Sequence, residues 1–483
     1  MFLPMPSPDG QARWREAGMG DRRKAVLVLD VGKTNVKLLA IDEDGRILGQ
    51  SRTPNPTLPG PPWKHPDTAA TEAWMIGAIR ELAAAVDVQA IVPTAYGSTC
   101  AMLDAEGNLA FPIMDYEDEH SPDVIRSYAE VAPPFAETFC SIAPNGMLLA
   151  RQLWRARREH PQQFEAVRAV VPLAQFWGFR LTGELAWEHC ALGAQTQLIA
   201  TATGEWSSVA RQFGFDRLFP KRQQADNVLG RIRPEIAAAT GLPTETPVLV
   251  GIHDSNADYG RYRMAGLDHF TLLSSGTWLI TFDTDLPLSK LDPERDMVSN
   301  TDFTGKPVAT ARFMAGREFD LVSQLKGAGT GEPEWDTVLR LIRRGTMALP
   351  TFNVNGDTFP GTGGRGHVVG PELADATEAK ALASLYVALG TDVVLDLLQS
   401  KGQVILAGGL AKDRLYAPIL AALRASQPLA SSSEPDSTAL GAAELFWRTV
   451  RPTPPIALTP VAPAGIDGLA DYRARWREAV ARP

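Results

Sequence analysis

The chain has 483 residues, carries a formal net charge of −9, and is 45% hydrophobic and 21% charged. This composition excludes a disordered or fibrous protein, and the acidic balance argues against nucleic acid or an anionic membrane as the main partner. The three cysteines, Cys100, Cys140 and Cys190, form neither a zinc motif nor a disulfide framework, so we expect a reducing, cytoplasmic compartment.

The first half of the chain shows the pattern of a sheet with helices. Residues 1–23 are rich in proline and arginine and lack the apolar run of a signal peptide, so we expect them to form an N-terminal tail. The apolar patterns that follow predict three strands, a helix and a fourth strand, at 25–30, 36–41, 47–52, 71–86 and 90–92. This order predicts a mixed sheet with helices packed on it.

The second half repeats this arrangement more weakly. Strands are predicted at 247–250, 270–273, 279–282 and 404–407, and helices at 376–399, 414–425, 438–450 and 467–481. Two sheet-bearing halves therefore meet near residue 245. We predict an N-terminal domain over 24–245, a C-terminal domain over 246–450, and a C-terminal extension over 451–483 that begins as a surface strap.

The strongest local pattern is the octapeptide from Asp30 to Lys37, in the hairpin between the first two predicted strands. A phosphate chain needs backbone N–H groups, hydroxyl donors and positive charge, and Gly32, Lys33 and Thr34 can provide them together with Lys37. Asp30, at the end of a strand, can hold a magnesium ion through water. A polar hairpin without any ligand is the alternative interpretation.

Two other turns carry small residues after predicted strands. One hairpin contains Ser275, Gly276 and Thr277, and a strand in the C-terminal half runs into Gly408 and Gly409. Two polar hairpins, one in each half, can clamp a triphosphate, and a glycine pair lets a ring or ribose lie against the backbone. Each turn, taken alone, is equally typical of an ordinary connection.

Asp254 follows a strand-like run at the start of the second half. A hydroxyl that attacks a γ-phosphoryl group needs a carboxylate to accept its proton, and Asp254 is the candidate. Capping of a helix over 256–264 is the alternative role, and the two roles are compatible.

Taken in order, these four segments resemble the FGGY family of carbohydrate kinases, in the actin-like ATPase superfamily, from about residue 24 to residue 450. Further segments that resemble the family are Leu181–Glu184, Gly107–Ile113 and Asp436–Ala443. The segments that look most like the L-fuculokinase and rhamnulokinase branch are Thr53–Pro56, His253-Asp254 and Ser275–Trp278.

The resemblance implies an α/β protein of two actin-like, ribonuclease H-like domains with a cleft between them, the sugar lying mostly on the first domain and ATP mostly on the second. It implies an ATP-dependent sugar kinase that uses Mg²⁺, with Asp254 as the catalytic base and with Asp30 and Asp254 at the metal. The nucleotide and its phosphates would be bound by Gly32, Lys33, Thr34, Ser275, Gly276, Thr277, Gly408, Gly409 and Asp413.

Two of these residues depart from the family pattern. Lys33 stands where the family usually has threonine or serine; it can serve as a point charge on a phosphate or point outward. Asp413 stands where the family usually has asparagine, which weakens its assignment to the adenine side.

The sugar pocket departs most from the family. Tyr96-Gly97-Ser98 offers hydroxyls where related kinases have an acidic or amide group, and His120 replaces the arginine of a Trp-x-Asp-x-Arg pattern in which Asp118 is kept. We expect Asp118 to accept hydrogen bonds from sugar hydroxyls, and His120 to be either a hydroxyl ligand or a surface residue.

The remaining residues assigned to the sugar are His253 and Trp278. Trp278 can form a stacking face or belong to the core. Residues 187–189 fall in another stretch that the family places near the pocket. The acidic run at 115–119 would repel a carboxylate, which favours a neutral ketose, such as an L-fuculose-, rhamnulose- or ribulose-like sugar, or a polyol.

The expected partners are ATP and a small sugar, with no nucleic acid and no membrane, and formation of a homodimer is left open. Two other classes of protein share the scaffold: a non-catalytic sugar sensor, and an actin-like chaperone or filament ATPase. The sequence offers no clear peptide-binding domain or polymer interface. A carboxylate at position 254 distinguishes a kinase from a sensor, because a sensor has no need of a base.

Overall fold

The computed structural model describes residues 13–14 and 22–482, apart from residues 144, 328, 330 and 355–357. The chain divides into two compact units. Unit 1 comprises the chain up to Gly266 together with Ser299–Pro307 and Asp436–Pro455, and unit 2 comprises Leu267–Val298, Val308–Pro435 and Ile456–Pro483. The boundary predicted near residue 245 therefore lies inside unit 1.

Within the described residues the strands are, in chain order, β1 Arg13–Trp14, β2 Lys24–Val31, β3 Asn35–Ile41, β4 Ile47–Pro54, β5 Thr57–Leu58, β6 His65–Pro66, β7 Asp87–Ala95, β8 Cys100–Leu103, β9 Ala169–Pro172, β10 Ile199–Ala200, β11 Glu205–Trp206, β12 Val228–Arg231, β13 Pro247–Leu249, β14 Ile252–His253, β15 Phe270–Ser275, β16 Leu279–Asp283, β17 Met297–Thr301, β18 Pro307–Phe313, β19 Met347–Leu349, β20 His367–Val369, β21 Gln403–Gly408, β22 Leu429–Ser432 and β23 Leu458–Pro460. The helices of the same residues are α1 Thr68–Ala85, α2 Pro122–Ala129, α3 Phe135–Thr138, α4 Leu149–Glu159, α5 Pro161–Phe164, α6 Leu173–Thr182, α7 His189–Gly193, α8 Ser208–Gln212, α9 Pro234–Thr240, α10 Asp254–Met264, α11 Ala315–Ser323, α12 Trp335–Arg344, α13 Ala376–Leu397, α14 Tyr416–Leu423, α15 Ser437–Trp447 and α16 Leu469–Ala481.

The main sheet of unit 1 has the strand order β1-β4-β3-β2-β7-β13-β12, with β14 also paired to β7. The strands β2, β13 and β14 run parallel to β7, and the other neighbours are antiparallel. The centre of the sheet is buried on both faces. Val26 and Val28 of β2 pack with residues of α10 and α15, while Leu27 and Leu29 pack with residues of α1 and α6. This explains why β2 is a continuous apolar run.

The main sheet of unit 2 has the order β17-β18-β16-β15-β21-β22-β23. The strands β15, β21 and β22 run parallel to one another, while β18 pairs with β16, β16 with β15, and β23 with β22 in antiparallel fashion. The long helix α13 is buried along most of its length because nearly every face carries apolar or small residues. Both units thus have a mixed sheet with helices, as the sequence predicts.

The two predicted terminal segments are paired or packed with the main sheets to a greater extent than the sequence suggested. Most of the predicted N-terminal tail lies outside the described residues, but Arg13–Trp14 pairs with β4 in an antiparallel ladder. The predicted C-terminal extension belongs largely to unit 2: β23 joins the edge of its sheet, and α16 buries Tyr472 and Trp476 completely. None of the described helices is both long and apolar enough to cross a bilayer.

Trp476 shows how α16 is held in unit 2. Its indole N–H donates to the backbone oxygen of Ala348 at 2.7 Å, and its ring lies 5.9 Å from that of Phe359 and 6.5 Å from that of Tyr386. A buried tryptophan that also satisfies its N–H group contributes through both packing and hydrogen bonding.

We expect Trp476→Ala to lower the free energy of unfolding of unit 2 by about 3–5 kcal/mol, because it leaves a large cavity and an unpaired carbonyl. Chemical denaturation measures this value. Glu478→Ala, on the exposed side of the same helix, is the control and should change it by less than about 0.5 kcal/mol. A small effect at Trp476 would show that α16 contributes little to the fold.

Candidate active site

Three neighbouring parallel strands of unit 1 end at the same level. Val31 of β2 lies opposite Ala95 of β7, and Ala95 lies opposite His253 of β14. The carboxyl ends of parallel strands are where α/β sheets usually bind ligands. This register brings Asp30, beside the end of β2, and Asp254, directly after β14, to one edge of the sheet.

Asp30 is a buried carboxylate in a negatively charged surrounding. Its side chain is 14% exposed. Burial raises the pKa of Asp30 to about 7; the ammonium of Lys37 opposes this shift, and the charges of Asp254 and Asp436 add to it. Three carboxylates therefore influence one another here, and a divalent cation would favour their ionised forms. Among the described residues no group of three or more Asp, Glu, His or Cys side chains is placed to hold a metal ion directly, so a magnesium ion held through water stays a prediction.

Lys37 bridges two of these carboxylates. Its Nζ donates to Oδ1 of Asp436 at 2.7 Å and lies 3.9 Å from Oδ2 of Asp30. Asp436 has a left-handed backbone, with φ of 49°, and directly precedes α15. From the sequence, Lys37 is a predicted phosphate donor, and Asp436 has no predicted role. The missed signal was an acidic residue at the start of a family-like helix segment.

Asp254 is the first residue of α10. Its Oδ1 accepts hydrogen bonds from the backbone N–H of Ser255 at 2.5 Å and from the Ser255 hydroxyl at 3.1 Å. A carboxylate at a helix N-terminus is favoured by the helix dipole, so the predicted structural role and the predicted catalytic role are compatible. Among the described residues, no hydrogen bond falls on Oδ2, and the side chain is 28% exposed.

The segment after β7 lies against His253. A Cβ atom on Gly97 would come within 2.5 Å of Nε2 of His253, so the imidazole can sit here only because residue 97 is glycine. Tyr96 is buried, and burial raises the pKa of its phenol, which therefore stays protonated. Ser98 is also buried and donates to Oε1 of Gln195 at 3.2 Å.

In the predicted phosphate loop after β2, the Lys33 side chain does not point outward but contacts other side chains of unit 1. The Lys33 ammonium forms an ion pair with Asp115, donates to the Thr57 hydroxyl at 2.8 Å, and lies over the Tyr116 ring. Burial alone would raise the pKa of Asp115, but hydrogen bonds from Lys33, the Glu117 backbone N–H and the Thr57 hydroxyl outweigh it and lower the pKa. Lys33 is thus held by unit 1 itself.

The rest of this loop offers backbone groups and one hydroxyl. The Gly32 oxygen accepts from the side-chain amide of Asn55 at 2.9 Å, and the Thr34 oxygen accepts from the Asn55 backbone at 2.8 Å. These two bonds fix the loop, and the Thr34 side chain is exposed.

Asp118 and His120 are both buried in unit 1. Asp118 accepts from the backbone N–H of Lys64 at 2.8 Å and forms an ion pair with Arg155, so its oxygens already have protein donors. Burial lowers the pKa of His120 to about 3, with smaller contributions from Arg151 and Arg155, which keeps its ring neutral. The alternative that His120 is a surface residue is therefore wrong. Glu117 and Glu119, by contrast, are exposed, as a solvated loop requires.

In unit 2, Ser275 joins the two predicted nucleotide loops. Its hydroxyl donates to the Ala407 oxygen at 2.6 Å and accepts from the Leu410 N–H at 3.0 Å, while its backbone oxygen accepts from Gly409 at 2.9 Å. Gly408 has φ of 85°, and a Cβ atom there would lie 2.0 Å from the Ser275 oxygen. Glycine is therefore required at position 408.

The hairpin between β15 and β16 is open at its tip. Gly276 and Thr277 are exposed, and a Cβ atom on Gly276 would meet no atom within 4 Å. Trp278 is half-buried, with the Arg312 guanidinium 5.9 Å from its ring centre. The ring of Trp278 is therefore partly exposed, so it is neither a core residue nor a fully exposed stacking face.

The Asp413 carboxylate forms hydrogen bonds within unit 2. Its Oδ1 accepts from the backbone N–H groups of Leu415 and Tyr416 at 2.9 and 2.7 Å, and its Oδ2 accepts from the Ser384 hydroxyl at 3.3 Å. The carboxylate therefore binds two backbone N–H groups at the start of α14, which gives the aspartate a structural role at a position where the resemblance expected an asparagine.

Comparisons with known proteins agree with this organisation. The model of the FGGY family of carbohydrate kinases, N-terminal domain, matches residues 25–258, and the model of the carbohydrate kinase FGGY, C-terminal domain, matches residues 267–454. A solved structure of a carbohydrate kinase from Novosphingobium aromaticivorans is 31% identical, with a TM-score of 0.85, and the match covers 94% of this chain and 100% of that one.

Curated relatives match over shorter stretches. L-fuculokinase of Escherichia coli K12 is 25% identical over 269 residues, which are 54% of this chain and 56% of that protein. Xylulose kinase of Bacillus subtilis is 24% identical over 298 residues, or 59% of this chain and 56% of that protein. The chain thus matches only about half the length of each of these two relatives.

The raised pKa of Asp30 makes a prediction about stability. Because the folded state holds this proton more tightly than the unfolded chain, the stabilising contribution is complete below about pH 4 and is lost as the pH rises to about 7 and above. Asparagine cannot ionise. We expect the stability advantage of Asp30→Asn over the unsubstituted protein, without Mg²⁺, to grow by on the order of 2 kcal/mol between pH 5 and pH 8.

Urea denaturation in EDTA at the two pH values measures this difference. Asp44→Asn, at an exposed turn of the same sheet, is the matched control and should show no such growth. If the stability advantage of Asp30→Asn is the same at both pH values, ionisation of Asp30 does not destabilise the folded protein.

Proposed function

The chain belongs to the FGGY family of carbohydrate kinases, and we propose that it transfers the γ-phosphoryl group of ATP to a hydroxyl of a neutral sugar. The observation that carries this proposal is Asp254, a partly exposed carboxylate at the start of α10, at the sheet edge that also holds Asp30. Family membership and the two-domain actin-like fold were both predicted from the sequence and are confirmed.

Asp254 is proposed as the general base. Ser255 holds its Oδ1 with two hydrogen bonds, which fixes the carboxylate plane and leaves Oδ2 for the acceptor hydroxyl. Asp254 orients that hydroxyl and accepts its proton late in the transfer, because the transition state of phosphoryl transfer is loose.

Asp30, together with Asp254, is proposed to hold Mg²⁺ through water. The ion supplies neutralisation of the negative charge that develops on the phosphate oxygens. Lys37 holds Asp30 and Asp436 in place, and its ion pair with Asp436 would offset part of the negative charge beside the cation. In the ion's absence burial raises the pKa of Asp30 to about 7, so its protonated and ionised forms are comparably populated near neutral pH.

Unit 2 is proposed to bind the nucleotide. Ser275 ties the hairpin to the glycine pair Gly408-Gly409, so the two loops form one rigid element. The exposed Thr277 provides a hydroxyl for phosphate oxygens, Gly276, whose N–H already donates to the Trp278 oxygen, leaves room for their close approach, and the glycine pair provides a flat backbone for the nucleoside. In unit 1, Gly32 and Thr34 remain candidates for the γ-phosphate, while Lys33 would have to leave Asp115 first.

The acceptor is proposed to be a neutral ketose or polyol. The carboxylates of Asp30 and Asp254 would repel a carboxylate substrate, whereas Asp115 and Glu117 of the acidic run are paired with Lys33. The names of the relatives, L-fuculokinase and xylulose kinase, point to the same class of sugar. A reducing cytoplasmic setting fits the three cysteines, which are buried and form no disulfide among the described residues.

We expect Asp254→Asn to lower turnover by about three orders of magnitude or more while ATP binding is retained, because the amide preserves shape but cannot accept the proton. ADP release with MgATP and a panel of ketoses, aldoses and polyols measures turnover, and calorimetry measures ATP binding.

The control for this experiment is Asp285→Asn, a carboxylate of unit 2 that is 44% exposed, which should retain normal turnover. Near-normal turnover of Asp254→Asn would reject Asp254 as the base. ATP binding by the unsubstituted protein, with no sugar-dependent ADP release across the panel, would instead favour a sugar sensor.

A further inference from the structure

Two glutamines that follow α7 share an unusual backbone conformation. Gln195 and Gln197 are both left-handed, with φ of 54° and 57°. This conformation costs free energy in a residue that has a side chain, and it persists only where the surrounding structure compensates for it, often at a ligand site. The hydrogen bonds of the two side chains show that the two residues differ in this respect.

The side chain of Gln197 is fully used by the fold. Its Nε2 donates to the Cys140 oxygen at 3.2 Å, and its Oε1 accepts from the Tyr128 hydroxyl at 2.6 Å. The residue is buried. Both halves of this amide have a protein partner, so packing and hydrogen bonding alone account for Gln197.

The side chain of Gln195 is used only in part. Its Oε1 accepts from the Ser98 hydroxyl at 3.2 Å. Ser98 is buried, and its hydroxyl has no other partner among the described residues, so its proton goes to the amide oxygen, which only accepts. The NH₂ group then faces away from Ser98. Within the described part of the chain no hydrogen bond falls on it, and Gln195 is only half-buried.

Ser98 places this amide beside the candidate active-site edge of unit 1. Residue 98 directly follows Gly97, which packs against the His253 imidazole. Ser98 is left-handed as well, with φ of 57°, and its backbone oxygen accepts from the completely buried amide of Gln152 at 2.7 Å. The segment after β7 is therefore fixed from inside unit 1, and it holds the oxygen of Gln195 in place.

The unused NH₂ group differs in chemistry from the carboxylates of this edge. An ionised carboxylate such as that of Asp254 only accepts hydrogen bonds, and a sugar hydroxyl can donate to it. The carbonyl oxygen of an open-chain sugar and the ring oxygen of a closed one only accept, so they need a donor. The two N–H groups of Gln195 are donors of this kind.

We propose that Gln195 is a specificity-determining residue that donates from its NH₂ group to the carbonyl or ring oxygen of the acceptor sugar. Ser98 holds the amide oxygen, which turns the donors toward the acceptor. An alditol has neither kind of oxygen, so this contact selects a sugar over its alditol. The proposal rests on the proposed function, because it concerns the acceptor of the same reaction.

The contact is tested with fuculose, rhamnulose, ribulose and xylulose, each beside its alditol as a competing ligand. We expect the unsubstituted protein to bind its best ketose about tenfold better than the alditol. Gln195→Leu removes the donors and should raise the KM for that ketose about tenfold. The inhibition constant of the alditol, the KM for ATP and kcat should each change by less than about twofold.

Gln195→Glu gives the opposite chemistry in nearly the same shape. The carboxylate still accepts from Ser98, but it turns a second acceptor toward the sugar. The KM for the ketose should rise by at least as much as in Gln195→Leu, whereas an alditol hydroxyl can donate to the carboxylate. We therefore expect this variant to bind the alditol better than the ketose. An unchanged preference for the ketose in both variants would overturn the proposal.

The corresponding 2,5-anhydroalditol distinguishes the two oxygens, because it keeps a ring oxygen but has no carbonyl. If Gln195 contacts the ring oxygen, Gln195→Leu should weaken its binding about tenfold. If Gln195 contacts the carbonyl, its binding should change by less than about twofold.

A purely structural role is separated by Gln195→Gly, with Gln399→Gly as the matched control. Gln399 is also left-handed, with φ of 49°, and is exposed in unit 2. Glycine adopts this conformation without strain, so neither variant should lower the midpoint of urea denaturation. Only Gln195→Gly should raise the KM for the ketose. A lower midpoint with an unchanged KM would show that Gln195 serves the fold, and it would overturn the proposal.

Calorimetry of ketose binding without nucleotide separates this proposal from the proposed function. If a ketose binds but is not phosphorylated, and Gln195→Leu weakens its binding about tenfold, the contact is confirmed and the kinase activity is rejected. If the unsubstituted protein phosphorylates a ketose and Gln195→Leu binds it equally well, only the contact is rejected. If none of the four ketoses binds, both proposals fail.

Discussion

The candidate site of unit 1 depends on the close contact between α10 and α15. A Cβ atom on Gly441 would lie 1.9 Å from the backbone oxygen of Ala257, so only glycine allows the two helices to approach this closely. Asp254 begins one of these helices and Asp436 directly precedes the other. Both carboxylates influence the pKa of Asp30 on the sheet, so the packing of two helices determines the electrostatics of one edge.

That edge carries a charge arrangement that costs stability. Burial disfavours the ionised form of Asp30, and two neighbouring carboxylates add to this effect, while Lys37 is the cation that contacts both Asp30 and Asp436. Functional sites often retain such unfavourable groups because the rest of the fold compensates for them. Here the compensation comes from a sheet and helices that are buried on both faces.

Unit 2 achieves rigidity by a different means. Its two candidate nucleotide loops follow neighbouring parallel strands, and Ser275 connects them through both its side chain and its backbone. A loop that is fixed before the ligand arrives loses less entropy on binding. The left-handed backbone at Gly408 is part of this connection, which gives the glycine pair a structural reason beyond contact with a ligand.

The sequence by itself determined the class of fold, the order of the strands that carry Asp30 and Asp254, and the glycine turns after β15 and β21. These features depend on local patterns: apolar runs, turn residues, and polar residues at strand ends. The helices that were predicted from the sequence end within about three residues of α1, α10 and α13–α16, because helical periodicity extends over many positions, whereas α2–α9, α11 and α12 were not predicted.

Only the tertiary structure decided which partners the polar side chains take. Lys33 pairs with Asp115, which is 82 residues away, and Lys37 with Asp436, which is 399 residues away. Asp413 accepts from backbone N–H groups at the start of α14, and the Asn256 amide donates to a segment near residue 300. An ionic or hydrogen-bonding residue can pair with any group of suitable chemistry, so its partner is set by which distant segments the fold brings within about 3 Å.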